Sequence, residues 1–268
     1  MRWAFVRQGR PNVGLAPTDG SRDSSLMNAP VSAFQLAADE LARRDDRLRV
    51  AIEFVGPCTL APERRRSPYE SLLSAIAHQQ VHGAAAAAIL GRMQKLYSPR
   101  GRWPTPEELA ATPEDTLRAA GLSRSKVLAM KDVAARALDG TVPDRRTIAL
   151  LDDESIIERL DVVRGVGRWT AEMLLIFTLG RPDVLPVDDF GVRYGFKLLY
   201  GKRQMPKPRW LADYGERWAP YRSTASWYFW RYVDRLRTEG RDPAQQARRR
   251  KRSVAARPGA SRRQAARV

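Results

Sequence analysis

Asp153-Glu154-Ser155-Ile156-Ile157-Glu158-Arg159-Leu160-Asp161-Val162-Val163, then Arg164-Gly165-Val166-Gly167, then Arg168-Trp169-Thr170-Ala171-Glu172-Met173-Leu174-Leu175-Ile176-Phe177: the reading of this run decides the fold. In the first segment Ile156, Ile157, Leu160 and Val163 fall on one face at helical spacing, which predicts a short helix over 154–163. The third segment is apolar nearly all round and predicts a buried helix from Arg168. Between them stands Gly-x-Gly. Two glycines can take positive φ at little cost and let another backbone approach closely. Such a turn leaves N–H groups unpaired at the start of the second helix, where the helix dipole favours an anion. A phosphate of DNA suits that place, although Gly-x-Gly alone also reads as a plain helix–helix connection.

The composition agrees with a polyanionic partner. The 268 residues carry a formal net charge of +17. Residues 241–268 hold ten Lys/Arg and one acid, Asp242, a net of +9, which leaves +8 on residues 1–240. The body is therefore basic without its tail. Cys58 is the one cysteine, so no intrachain disulfide can form and the chain cannot ligate an iron–sulfur cluster. His78 and His82 are the two histidines, and their i, i+4 spacing would put both rings on one helical face. No acidic third ligand stands at matching spacing, so neither a metal nor any other cofactor is expected. The longest apolar run, Ala84 to Leu90, is far too short to span a membrane, and no apolar h-region follows Arg2 and Arg7. An intracellular protein is expected, cytoplasmic and associated with the bacterial nucleoid.

Residues 1–29, rich in Gly, Pro, Ser and Asp, read as a disordered leader upstream of a start near Met27. From Val31 the pattern turns helical, with Phe34, Leu36, Leu41, Leu48 and Ile52 as apolar positions. Three helix starts follow: Ser67-Pro68-Tyr69-Glu70, Thr105-Pro106-Glu107-Glu108 and Thr112-Pro113-Glu114-Asp115. In each, a hydroxyl can take up an orphan N–H while Pro sits where no donor is needed. The Ala-rich stretch from Pro68 to about Tyr97 reads as helix, broken near Gly83. Ala120-Gly121-Leu122-Ser123 ends one helix and caps the next, which stops at Gly140. No two-residue alternation persists, so the expectation is an all-α fold, with a helical domain over 30–239 and a disordered basic tail over 240–268.

Leu185-Pro186-Val187-Asp188-Asp189-Phe190-Gly191-Val192-Arg193 follows the hairpin. Two adjacent carboxylates open a new helix after an apolar loop. One can serve as N-cap, which leaves the other for chemistry.

Leu160 to Val192 resembles the helix-hairpin-helix glycosylase superfamily, and within it the alkylated-base branch, DNA-3-methyladenine glycosylase II. The resemblance covers roughly residues 40–235. It rests on Gly165-Val166-Gly167-Arg168-Trp169-Thr170-Ala171 and Pro186-Val187-Asp188-Asp189. Three further stretches carry it: Ser74-Ala75-Ile76-Ala77-His78-Gln79-Gln80, Gly121-Leu122-Ser123-Arg124-Ser125-Lys126 and Glu216-Arg217-Trp218-Ala219-Pro220-Tyr221-Arg222-Ser223. It implies two helical lobes around a DNA-binding cleft and a monomeric enzyme without the N-terminal β-domain of the better-known branch member. The family pattern makes Asp189 the catalytic carboxylate and Asp188 the N-cap or its neighbour. Gly165, Val166, Gly167 and Thr170 would hold a phosphate of duplex DNA, with Ser123 and Lys126 as a second clamp. Gln79 or Gln80, with Gln80 preferred, would fill the gap left by a flipped base.

The implied reaction is hydrolysis of the N-glycosidic bond of an alkylated base, of the 3-methyladenine or 7-methylguanine type. A carboxylate beneath C1′ would stabilise the cationic sugar and orient water. Lyases of the superfamily carry Lys where this chain has Trp169, which cannot attack, so the resemblance implies a monofunctional enzyme of base excision repair. Trp169 and Trp230 would stack on the cationic base. Two other readings compete: a non-enzymatic helix-hairpin-helix DNA-binding module, and a bifunctional glycosylase/lyase. The carboxylate pair opposes the first and Trp169 the second.

Overall fold

A computed structural model describes residues 32–248, and the expectations for residues 1–31 and 249–268 lie outside the described residues. Every regular element among the described residues is helical. The chain divides into two compact units, one containing Thr59–Pro186 and the other Phe34–Cys58 with the chain from Val187 onward.

The first unit runs through α3 (Pro68–His78), α4 (Gly83–Lys95), α5 (Pro106–Ala111), α6 (Glu114–Ala119), α7 (Arg124–Leu138), α8 (Arg145–Ala149), α9 (Asp153–Asp161) and α10 (Arg168–Leu174), numbered along the whole chain after α1 (Ala33–Arg44) and α2 (Asp46–Val55). The starts at α3 and α5 are complete capping boxes: Ser67 and Thr105 accept from the N–H groups of Glu70 and Glu108, whose carboxylates accept in return from the cap N–H groups. The third expected cap does not form. Thr112 donates its hydroxyl back to the Glu108 carbonyl at 2.7 Å, and α6 starts after Pro113 with no side-chain cap. The reason is proximity: Thr112 is the C-cap of the preceding helix, its N–H already bonds the Glu108 carbonyl at 3.0 Å, and its hydroxyl folds back onto the same oxygen. The core lies where α3 and α5 pack on α7 and α10 packs on α9 and α3, burying Leu72, Leu73, Leu109, Ile156, Leu160 and Ala171. Beyond α10 a π-helical turn, Leu175–Leu179, ends at Gly180 with φ +70°.

The histidine pair does not share a helix face. His78 ends α3 and bonds the Ser74 carbonyl through Nδ1, whereas His82 lies past the turn and accepts from Ala84 N–H as the N-cap of α4.

The second unit contains α1, α2, α11 (Phe190–Leu199), α12 (Pro208–Gly215), a 3₁₀ turn (Glu216–Trp218) and α13 (Arg222–Thr238). Leu36, expected on an apolar face, is 59% exposed, and Ala37, Ala38 and Leu41 are buried in its place. Asp45 ties the corner between α1 and α2 to the rest. Its Oδ1 caps α2, while Oδ2 accepts from Tyr200 O–H at 2.6 Å and Trp218 Nε1–H at 3.0 Å. Phe196 gathers an aromatic core, stacking on Tyr200 at 4.2 Å and meeting Tyr214 and Phe229 edge-on.

The ordered body extends past Glu239. Asp242 is 2% exposed, and residues from 243 to the last described residue are helical. A tail beginning at 240 is therefore corrected for 240–248. The cause is Asp242, whose carboxylate accepts from Tyr194 O–H at 2.6 Å and from Arg237 Nε–H at 3.0 Å.

Candidate active site and nucleic-acid interface

In the first unit the hairpin forms as its sequence dictates, with one refinement. Only Gly165 has positive φ, at +78°, and a Cβ there would stand 3.1 Å from Ala129 Cβ on α7. Gly167 has φ −104°, which other residues also adopt, and acts as N-cap of α10, where a Cβ would meet only Asp161 Oδ1 at 4.0 Å. Its carbonyl accepts from Thr170 N–H at 2.8 Å and Ala171 N–H at 3.1 Å, while Val166 N–H donates to Val163. Val166 and Thr170 are both buried. The N–H groups of Gly165, Gly167 and Arg168 make no hydrogen bond among the described residues. These three are the donors an anion can meet. Trp169, the second residue of α10, is half-buried.

The Gln79–Gln80 turn is bound to this hairpin. Gln79 Nε2 donates to the Gly165 carbonyl at 2.8 Å. Gln80 is exposed and adopts φ +59°, the one non-glycine positive φ among the described residues. That conformation is rare for a side chain of this size. Lys126 reaches the same region from α7, its Nζ donating to the Ala77 carbonyl at 2.7 Å. Burial holds the Lys126 ammonium below its usual range. Ser123 is the N-cap of α7 and accepts from Lys126 N–H. Both members of the expected second clamp thus hold protein groups: one caps α7, the other satisfies an orphan carbonyl near the end of α3.

In the second unit the carboxylates sort themselves. Asp189, not Asp188, is the N-cap of α11. Its Oδ1 accepts from Val192 N–H at 2.7 Å and from Trp230 Nε1–H, also at 2.7 Å. Asp188 lies one residue too early to reach the third N–H of a helix that starts at Phe190, and it is exposed. The residue expected to do chemistry therefore also fills the cap, with one oxygen making both bonds. Trp230 is 6% exposed on α13.

Two glycines permit this pairing, and the sequence reading passed over both. A Cβ at Gly191 would fall 2.6 Å from Trp230 Cδ1, and one at Gly195 would fall 2.4 Å from the Phe229 carbonyl oxygen. Four residues apart, they share one face of α11 and let α13 approach its backbone. The signal, Gly-x-x-x-Gly on a predicted helix, was present in the sequence.

Among the described residues no cluster of His, Cys, Asp or Glu could hold a metal ion, and no helix is long and apolar enough to cross a membrane.

Residues 73–220 match the HhH-GPD superfamily of base excision DNA repair proteins. DNA-3-methyladenine glycosylase 1 of Schizosaccharomyces pombe is 36% identical over 204 residues, covering 75% of this chain and 88% of its own. A solved S. pombe 3-methyladenine DNA glycosylase in complex with abasic DNA superposes with a TM-score of 0.65 at 37% identity, over 73% of this chain and 95% of that one. The DNA-3-methyladenine glycosidase of Bacillus halodurans gives 0.68 at 33% identity, over 81% and 96%. The chain belongs to the HhH-GPD superfamily of base excision DNA repair proteins, on its alkylated-base branch.

Proposed function

We propose that this protein is a monofunctional DNA glycosylase that releases alkylated bases of the 3-methyladenine and 7-methylguanine type from duplex DNA, acting as a monomer. The observation that carries the reading is Asp189, a carboxylate oriented through one oxygen by two N–H donors, Val192 and Trp230.

The chemistry needs little more. An alkylated purine is cationic, so its bond to C1′ is already weakened. As that bond breaks, the base leaves with the electron pair as a neutral molecule and positive charge develops on the deoxyribose. Asp189 supplies the opposing charge and orients water, whose oxygen bonds to C1′ and whose proton passes to the carboxylate or to solvent. Trp230, its indole fixed by the Asp189 bond, favours a cationic base by stacking, and Trp169 of the first unit is a second aromatic candidate for that role. Trp169 offers no nucleophilic amine, so no Schiff base forms and the product is an intact strand with an abasic site.

The hairpin N–H groups at Gly165, Gly167 and Arg168 take a phosphate, with Val166 and Thr170 shaping the turn. Exposed Gln80 fills the stack after flipping, which costs a few kcal/mol. Gln79 anchors that turn to the hairpin. Ser123 and Lys126 act indirectly, by holding the ends of α7 and α3.

The test is incubation with methylated duplex DNA, chromatography of the released bases, and borohydride trapping in parallel. Free alkylated purines with no trapped adduct are expected. Absence of free bases under DNA-saturating conditions contradicts the reading, and a trapped adduct contradicts its monofunctional part.

A further inference from the structure

The catalytic helix α11 is stitched to α13 at two places. One is the Asp189–Trp230 bond. The other lies beyond α13, where Asp242 accepts from Tyr194 of α11 through Oδ1 and from Arg237 of α13 through Oδ2. Trp230 and Arg237 are seven residues apart, about 10 Å along the helix. Beside these contacts Gly195 lies against the Phe229 backbone. Two helices joined at two separated points cannot slide or rotate about either one. The nearer consequence is local: the Tyr194 ring, held by its hydroxyl, stacks on Phe190 at 5.5 Å, and Phe190 directly follows Asp189.

The carboxylate is built for this task. It caps the short helix that follows by accepting from Ala244 N–H at 3.0 Å. Burial raises its proton affinity, but bonds from Tyr194, Arg237 and Ala244 outweigh burial and hold it below the usual range. The Tyr194 phenol is pushed up to about 12 by burial and then by Asp242, so it stays a donor.

We propose that Asp242 is a positioning residue for Asp189: through Tyr194 and Arg237 it fixes α11 against α13, and thereby the Asp189–Trp230 bond. This rests on Asp189 being the catalytic carboxylate. It makes residues 241–248 part of the catalytic unit, although their sequence reads as the start of a basic tail.

The experiment uses full-length Asp242→Asn, Tyr194→Phe and Asp189→Asn, each compared with wild type. Single-turnover base release at saturating enzyme, affinity for the damaged duplex and thermal midpoint are measured for all. Misplacement of a reacting group by about 1 Å can cost on the order of 100-fold in rate. A partial slip here is expected to slow release about 5- to 50-fold in Asp242→Asn and Tyr194→Phe, with affinity changed by less than about twofold in folded protein. Tyr194→Phe removes one hydroxyl and keeps the ring, so it decides the matter if Asp242→Asn does not fold. Wild-type rates in folded Tyr194→Phe or Asp242→Asn, with Asp189→Asn inactive, overturn the positioning role alone. Normal release by Asp189→Asn overturns the catalytic assignment and this inference with it.

Discussion

A carboxylate can stabilise a cation only if something fixes where it points. Asp189 is fixed by using one oxygen as both helix cap and indole acceptor. The sequence presented two adjacent carboxylates, and composition gave no means to divide their roles. Backbone geometry divides them, because the cap must immediately precede the first helical residue, Phe190. Asp188→Asn is therefore expected to change stability by no more than about 0.5 kcal/mol and to leave base release intact, as read by denaturant titration and single-turnover assay. A cost near that of a lost cap, about 1 kcal/mol or more, would restore Asp188 to that role. Trp230→Phe keeps an aromatic ring and removes the N–H bonded to Asp189. Its rate of base release is expected to fall about tenfold or more, with DNA affinity little changed. An unchanged rate would show that the indole bond does not orient the carboxylate.

At the scale of elements, α11 and α13 meet through Gly191 and Gly195, and replacing either inserts a methyl group where no space exists. Gly195→Ala meets backbone, which cannot rotate away, and is expected to destabilise the protein by about 1–3 kcal/mol in urea unfolding. A cost below about 0.5 kcal/mol would mean that the helices separate freely. The capping boxes give a pH signature. Arg102, then the Thr105 N–H, hold the Glu108 carboxyl at about 2, below its ordinary 4.5. A depressed carboxyl contributes stability above its unfolded value that is lost as pH falls through its folded value. The gap in melting temperature between wild type and Glu108→Gln is thus expected to narrow from pH 4.5 toward about 2, and a constant gap contradicts this. Ser67, Thr105 and the hairpin were legible in sequence because their partners lie within four residues or so. Thr112 misled because the same local pattern also fits a bond back to Glu108. The Asp242–Tyr194 bond spans 48 residues and no local pattern carries it.

For the whole molecule, the net charge of +17 means that affinity for DNA must depend steeply on salt. Residues 249–268 carry eight Lys/Arg and no acid. A chain ending at Arg248 keeps Asp242 in place and tests this arm alone, whereas one ending at Glu239 removes both. If about five of these charges meet phosphates, the log–log salt slope of DNA binding is expected to be shallower by roughly 4 to 5 units in the shorter chain. Single-turnover rates at saturating enzyme are expected to match, and equal slopes would leave the arm without a role in binding. The proposed reaction requires one carboxylate, Asp189, in the folded body. The most direct test is single-turnover base release from methylated duplex by wild type and Asp189→Asn, with affinity measured alongside. Asparagine keeps the helix cap and the indole acceptor while removing the charge. Release is expected to fall by at least about 100-fold with affinity and melting temperature nearly unchanged, and near-normal turnover by Asp189→Asn contradicts the account.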